Sequence, residues 1–265
     1  MSTAMLRIHI DGIGLYGPGL NGWAQASEVL RGQATYREAG LVLPAPDALP
    51  PAERRRVSLP LKLAMAAGFD AVRNAGADAG TLATVFSSGE SDGDNCHHLL
   101  ESLAAPQRAM SPTRFHNSVH NMAAGYWGIA TGSMAASTSL CAYDASFAAG
   151  LLEAATQVVT TERPRLLVVF DTVYPPPLHA VRPLPCSFGL GLMLSPVRSK
   201  ATQASITVTL ADAVPTRMVE AELERLRRQV PTARSLPLLE RIARGEAGEV
   251  VIDYLEDLQL RVNLP

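Results

Sequence analysis

The chain has 265 residues, of which 47% are hydrophobic and 18% charged, the composition of an ordinary folded domain and not of a disordered or fibrous chain. Its 23 basic and 25 acidic side chains leave a net charge of −2, which gives no reason to expect nucleic acid or another polyanion as a partner. Aromatic residues make up only 5%, so the core must be built from aliphatic side chains and closely approaching small residues.

In chain order, Leu6 to Leu15 reads as a strand running into glycines, and Asn21 to Gly32 as a short helix with Trp23, Ala26 and Leu30 on one side. The Pro-rich stretch Leu41 to Pro51 can be neither helix nor central strand and reads as a surface loop. Pro60 opens a helix in which Leu61, Ala64, Met65, Gly68, Ala71, Val72 and Ala75 recur at helical spacing, with Gly76 at the C-cap. Leu82 to Phe86 reads as a strand followed by the polar loop SSGESDGD. A helix is expected around Asn117 to Thr131, then a short strand Met134 to Leu140 leading into a helix Ala142 to Val159. That last segment carries Asp144, Glu153 and Gln157, which marks it as a buried helix and not a membrane span.

Arg165 to Asp171 is the continuous apolar run of a buried strand, and a proline cluster separates it from further strands expected near Phe188 to Leu194 and Ile206 to Leu210. Beyond it, Thr216 to Val230 is an amphipathic helix with Val219, Leu223, Leu226 and Val230 inward. Ser235 is placed to cap a shorter helix ended by Gly245, and the alternation of Leu258, Leu260, Val262 and Leu264 indicates a final hairpin strand with one buried face. Strands alternating with helices indicate an α/β fold with a mixed sheet, its main domain at residues 1–210. Residues 211–265 form a helix and hairpin extension packed on that domain.

The cysteines, Cys96, Cys141 and Cys186, are far apart and show no paired spacing, which argues against a disulfide framework and for a reducing, cytoplasmic setting. Met1 to Ile10 lacks the layout of a signal peptide. Cys96-His97-His98 has no second ligand pair at zinc spacing, so no metal is expected. The segment Gly132 to Ser146, GSMAASTSLCAYDAS, places Cys141 where a strand ends and a helix begins. The free amides and partial positive charge of a helix N-terminus favour a thiolate, the form an acyl-transfer nucleophile needs. The same position also suits a small buried apolar residue. His116 and His120, one turn apart on the expected helix, are either bases for Cys141 or interface residues.

Five segments in order resemble the N-terminal half of β-ketoacyl synthases, of the thiolase-like superfamily. They are RIHIDGIGLYGPG from Arg7, SSGESDG from Ser87, SPTRFHNSVHNMAAGYWGIATG from Ser111, the Cys141 segment, and CSFGLGLMLSP from Cys186. The resemblance implies a thiolase-like α/β/α layered half-domain, a nucleophile position at Cys141 and no cofactor. In that family a second half supplies two catalytic histidines, and nothing after Lys200 resembles their motifs. Length, Ser118 to Asn121 and Ser137 to Leu140 are similar to the short chain-length-factor-like proteins of aryl polyene and related pigment pathways, in which cysteine at 141 is unexpected. That resemblance implies a subunit that does not condense alone and that pairs with a full-length ketosynthase, or with itself, and with an acyl carrier protein. A stand-alone Cys141-dependent acyltransferase or thioesterase and a structural homodimer are the alternatives.

Overall fold

The computed structural model describes residues 5–265; the first four, on which the reading of the N-terminus partly falls, lie outside the described residues. A nine-stranded mixed sheet is built from β1 (Leu6–Gly17), β2 (Leu20–Asn21), β3 (Ala83–Ser87), β4 (Ser137–Leu140), β5 (Arg165–Asp171), β6 (Phe188–Ser195), β7 (Ala204–Ala211), β8 (Gly248–Ile252) and β9 (Gln259–Leu264). Its order is β4-β3-β5-β6-β1-β7-β9-β8, with the short β2 hairpinned onto β1. The strands β4, β3 and β5 are parallel, and every other pairing is antiparallel.

The helices are α1 (Trp23–Leu30), α2 (Pro51–Arg54), α3 (Leu59–Ala75), α4 (Gly93–Ala104), α5 (Pro112–His116), α6 (Met122–Thr131), α7 (Ser146–Thr161), α8 (Pro176–Val181), α9 (Ala221–Gln229) and α10 (Leu236–Arg244). One apolar cluster joins one face of the sheet to α1, α7, α9 and α10. A second joins the other face to α3, α6 and the loop residues Leu41, Leu43, Leu49 and Val57. The result is a three-layer α/β/α sandwich, the expected fold class.

Strand β1 shows how the sequence sorts its faces. Ile8 and Ile10 are even-numbered and Ile13 and Leu15 odd, yet all four belong to the first cluster. A register shift between Ile10 and Gly12 against β6 inserts one residue, and one inserted residue reverses the parity of everything after it. Gly12 and Gly14 thereby face α3, where an added Cβ would lie 2.1 Å from the Ala71 carbonyl or 2.2 Å from that of Ala67. The helix can lie this close to the sheet only because those positions have no side chain.

Helix α3 ends as expected, with Gly76 in the left-handed region at φ 63°. Helix α1 starts at a glycine with no capping side chain, and Asp70 of α3 accepts the Trp23 amide at 3.0 Å instead. The expected helix over 117–131 starts only at Met122, as α6; a separate α5 ends at His116, where Asn117 leaves helical geometry and turns its buried side chain to the Tyr126 hydroxyl at 3.1 Å. The loop SSGESDGD runs straight into α4, capped by Asp92, which accepts from the Asn95 amide at 3.0 Å. The proline cluster contains α8, with proline at its first turn, where a missing N–H costs nothing.

In the extension, Leu223, Leu226 and Val230 are buried as expected, but Val219 is 91% exposed. The helix begins only after Glu220, whose carboxylate accepts the Leu223 amide at 2.6 Å and so fixes the start beyond Val219. Ser235 does not cap α10: it sits in helical geometry at the end of the 3-10 turn Thr232–Ser235, and its hydroxyl donates to the Thr232 carbonyl at 2.7 Å. The hairpin forms as expected and extends the sheet, with β9 antiparallel to β7. No helix among the described residues is long and apolar enough to cross a membrane.

Candidate functional site

Because β4, β3 and β5 run parallel, their C-terminal ends open on the same side of the sheet. The loops that leave them, after Leu140, Ser87 and Asp171, therefore converge. Binding crevices of parallel sheets form at this edge, and Cys141 is the first residue beyond β4.

The turn that carries Cys141 is tightly specified. A 3-10 turn, Tyr143–Ala145, separates the cysteine from α7, and Tyr143 has φ 53°, a left-handed conformation rare for a residue with a side chain. Ser146 holds this turn from inside: its hydroxyl accepts the Ala142 amide at 3.2 Å and donates to the Tyr143 carbonyl at 2.8 Å. The Ser87 hydroxyl ties the Ser146 carbonyl to the end of β3 at 2.7 Å. From above, the Arg182 guanidinium lies 3.4 Å from the centre of the Tyr143 ring and bonds Asp144 and the Tyr174 hydroxyl.

Cys141 is exposed in this chain, with its sulphur 3.9 Å from Nδ1 of His120, the long end of a sulphur hydrogen bond. His120 lies in the connection between α5 and α6, not on a helix with His116. His116 ends α5 and makes no hydrogen bond to the cysteine, so of the two expected bases only His120 is brought to it.

The thiol itself departs from the expected polarity. Partial loss of hydration, then the carboxylates of Asp171 and Glu90, push its pKa above the ordinary thiol value, where the helix terminus was expected to lower it. The intervening 3-10 turn sets Cys141 back from the α7 amides, so loss of hydration, with the two acids behind it, sets the sign.

Those acids sit on the loops beside it. Asp171, fully buried at the end of β5, accepts the Gly89 amide at 2.8 Å, the Thr232 amide at 2.9 Å and the Thr232 hydroxyl at 2.6 Å. Burial still raises its pKa. Glu90 has a buried carboxylate oxygen with no hydrogen-bond partner, and burial followed by the charge of Asp171 lifts its pKa to about 8. The cavity beside Cys141, lined by Phe86, Ser91, His120, Ala123 and Leu140 among others, measures only about 10 Å³. That is the scale of one water, so this cavity has no room for an acyl chain.

Burial pushes Cys186 up to about 12, and Cys96 is exposed on α4. Beside Cys96, His97 and His98 both face Glu101, at 3.3 and 3.1 Å. Glu90, Asp171, Arg182, Thr232 and Arg234 were not singled out from the sequence. The one available signal was an aspartate closing an otherwise apolar strand.

A family model described as β-ketoacyl synthase, N-terminal domain, matches residues 23–249. No curated protein matches. Among solved structures, a chain of the ketosynthase ApeO in complex with its chain length factor ApeC from Xenorhabdus doucetiae is similar at 23% identity and TM-score 0.74, over 97% of this chain and 99% of that one. A chain of the ishigamide ketosynthase/chain length factor is similar at 15% identity and TM-score 0.73, over 98% and 99%. A β-ketoacyl synthase from Burkholderia phymatum is similar at 13% identity and TM-score 0.56, over 86% of this chain and 70% of that one. These likenesses establish a shared thiolase-like fold.

Proposed function

Because the chain belongs to the β-ketoacyl synthase N-terminal-domain family, we propose that it is a chain-length-factor-like subunit of an acyl-carrier-protein-dependent β-ketoacyl synthase. On this reading it pairs with a full-length ketosynthase in the cytoplasm, does not catalyse condensation alone, and helps close the space that holds a growing polyene, polyketide or fatty-acid-type chain. The observation that carries it is the state of the Cys141 site. The position exists, but its thiol is pushed toward the neutral form, and among the described residues only one histidine reaches it, at 3.9 Å.

Decarboxylative condensation builds up negative charge on a thioester oxygen, and two histidines donate to that oxygen in complete synthases. Loss of one such donor typically costs about 10²–10³ in rate. The test is direct: purified chain, malonyl and acyl carrier proteins, and mass-spectrometric detection of the β-ketoacyl product. No product from this chain alone, with product on addition of a ketosynthase that co-purifies with it, supports the proposal. Robust product from the chain alone would overturn it.

The Cys141–His120 contact favours a second reading, a Cys141-dependent acyltransferase or thioesterase, in which His120 takes the thiol proton. Acyl transfer from an acyl thioester to Cys141, abolished by Cys141→Ala, would select that reading over the first.

A further inference from the structure

The 3-10 turn Thr232–Ser235 lies far along the chain from every element of the Cys141 site, between α9 and α10, yet it touches the site twice. Its first contact is through Asp171. One carboxylate oxygen accepts from the amide and hydroxyl of Thr232, and the other accepts from Gly89 in the loop after β3. Thr232 is fully buried, so this link has no solvent alternative. The second contact is through Asp144. Arg234 approaches one of its oxygens at 3.6 Å while Arg182 bonds the other and stacks on Tyr143. Both loops that flank the cysteine are therefore anchored on the same short turn.

We propose that Thr232 and Arg234 are positioning residues of the Cys141 turn, acting through Asp171 and Asp144. Three features make the link specific. Asp171 is buried, and a buried carboxylate must collect hydrogen bonds; two of its donors come from Thr232. Tyr143 holds a strained backbone that persists only where its surroundings over-determine it, and the Arg182–Asp144–Arg234 chain supplies that restraint. Gly89 is pressed between Asp171 and the Tyr143 carbonyl: an added Cβ would lie 3.0 Å from the first and 3.6 Å from the second. Movement of the 232–235 turn thus moves the floor and the rim of the site together. The inference deepens the reading above, and rests on it only in taking the Cys141 turn as the centre of the site.

The readout is chemical and sits at the site, not at the turn. In the intact chain, the rate of iodoacetamide labelling at Cys141 is measured relative to Cys96 by mass spectrometry of the peptides. Thr232→Val removes the hydroxyl and keeps size and amide, and Arg234→Met removes the ion pair at the rim. Thr232→Val is expected to raise the Cys141/Cys96 ratio about three- to tenfold, the equivalent of one net hydrogen bond, and Arg234→Met about two- to fivefold, the equivalent of a part-exposed ion pair. Thr232→Ser, which restores the hydroxyl, is expected to return the wild-type ratio, which loss of packing would not do. An unchanged ratio in folded Thr232→Val and Arg234→Met overturns the proposal. Should Thr232→Val fail to fold, Arg234→Met decides alone, since it leaves the buried carboxylate untouched. The condensation assay reads the proposed function independently, so failure of either leaves the other standing.

Discussion

A cysteine just ahead of a helix gains from the free amides there only while it stays within reach of them, and buried acids oppose that gain. For Cys141 the opposition prevails, through partial loss of hydration first and then Asp171 and Glu90. Its labelling by iodoacetamide is accordingly expected to show a pH midpoint above the ordinary thiol value of about 8.5. Glu90→Gln, which removes one of the charges, is expected to lower that midpoint; a midpoint that stays put would remove Glu90 from the account. Glu90 also sets a stability trend. Its pKa in the fold, about 8, lies above the ordinary carboxyl value, so between the two the folded chain holds a proton that the unfolded chain has lost. Its contribution is present below the ordinary value and declines as pH rises toward 8. Thermal melts should show Glu90→Gln gaining on the wild type from pH 5 to pH 8, and parallel curves would refute this.

At the scale of elements, the extension is part of the core. Leu236, Leu238 and Leu239 of α10 are fully buried in the same cluster as β1 and α7, and β9 pairs with β7 from Thr207 to Ala211. Leu239→Ala should cost about 2–5 kcal/mol, measurable by urea unfolding. Truncation after Leu210 strips β9 from β7 and leaves a long apolar face uncovered, so insoluble or molten protein is expected, checked by solubility and near-ultraviolet circular dichroism. On the opposite face the close approach of α3 to β1 rests on Gly12. The methyl of Gly12→Ala would meet the backbone of α3, which has no side chain to rotate away, and should prevent native packing.

For the whole molecule, the open edge of the sheet at β4 is where a second chain can add. The carbonyls of Ala136 and Leu140 accept from Thr84 and Ser88 of the β3 segment, so alternation turns the backbone of Ser137 and Ser139 outward. Under the proposed function this edge meets the ketosynthase. Ser139→Pro, which removes an outward donor and leaves those inward bonds in place, should abolish co-purification with the partner while the chain stays folded. Retention of the complex would place the partner elsewhere.

The order of the main strands and helices, though not of α4, α5 and α8, was legible in the residues themselves because it depends on local pattern: the apolar run Arg165 to Asp171 and the αL glycine after α3 need no distant partner to be read. Cys141 was legible as a site for the same reason, a strand-to-helix junction being a local feature. What the tertiary structure alone decided was everything set by neighbours remote in sequence. The bulge in β1 shows only against β6, and the break between α5 and α6 only against Arg56 and Tyr126, on which Asn117 closes. The sign of the shift at Cys141 was decided in the same way. Helix position is encoded within a few residues, but Glu90 and Asp171 reach the thiol from two other loops, and Thr232 fixes Asp171 from the far end of the chain. Electrostatic surroundings depend on distance in space, and only folding brings these acids beneath the cysteine.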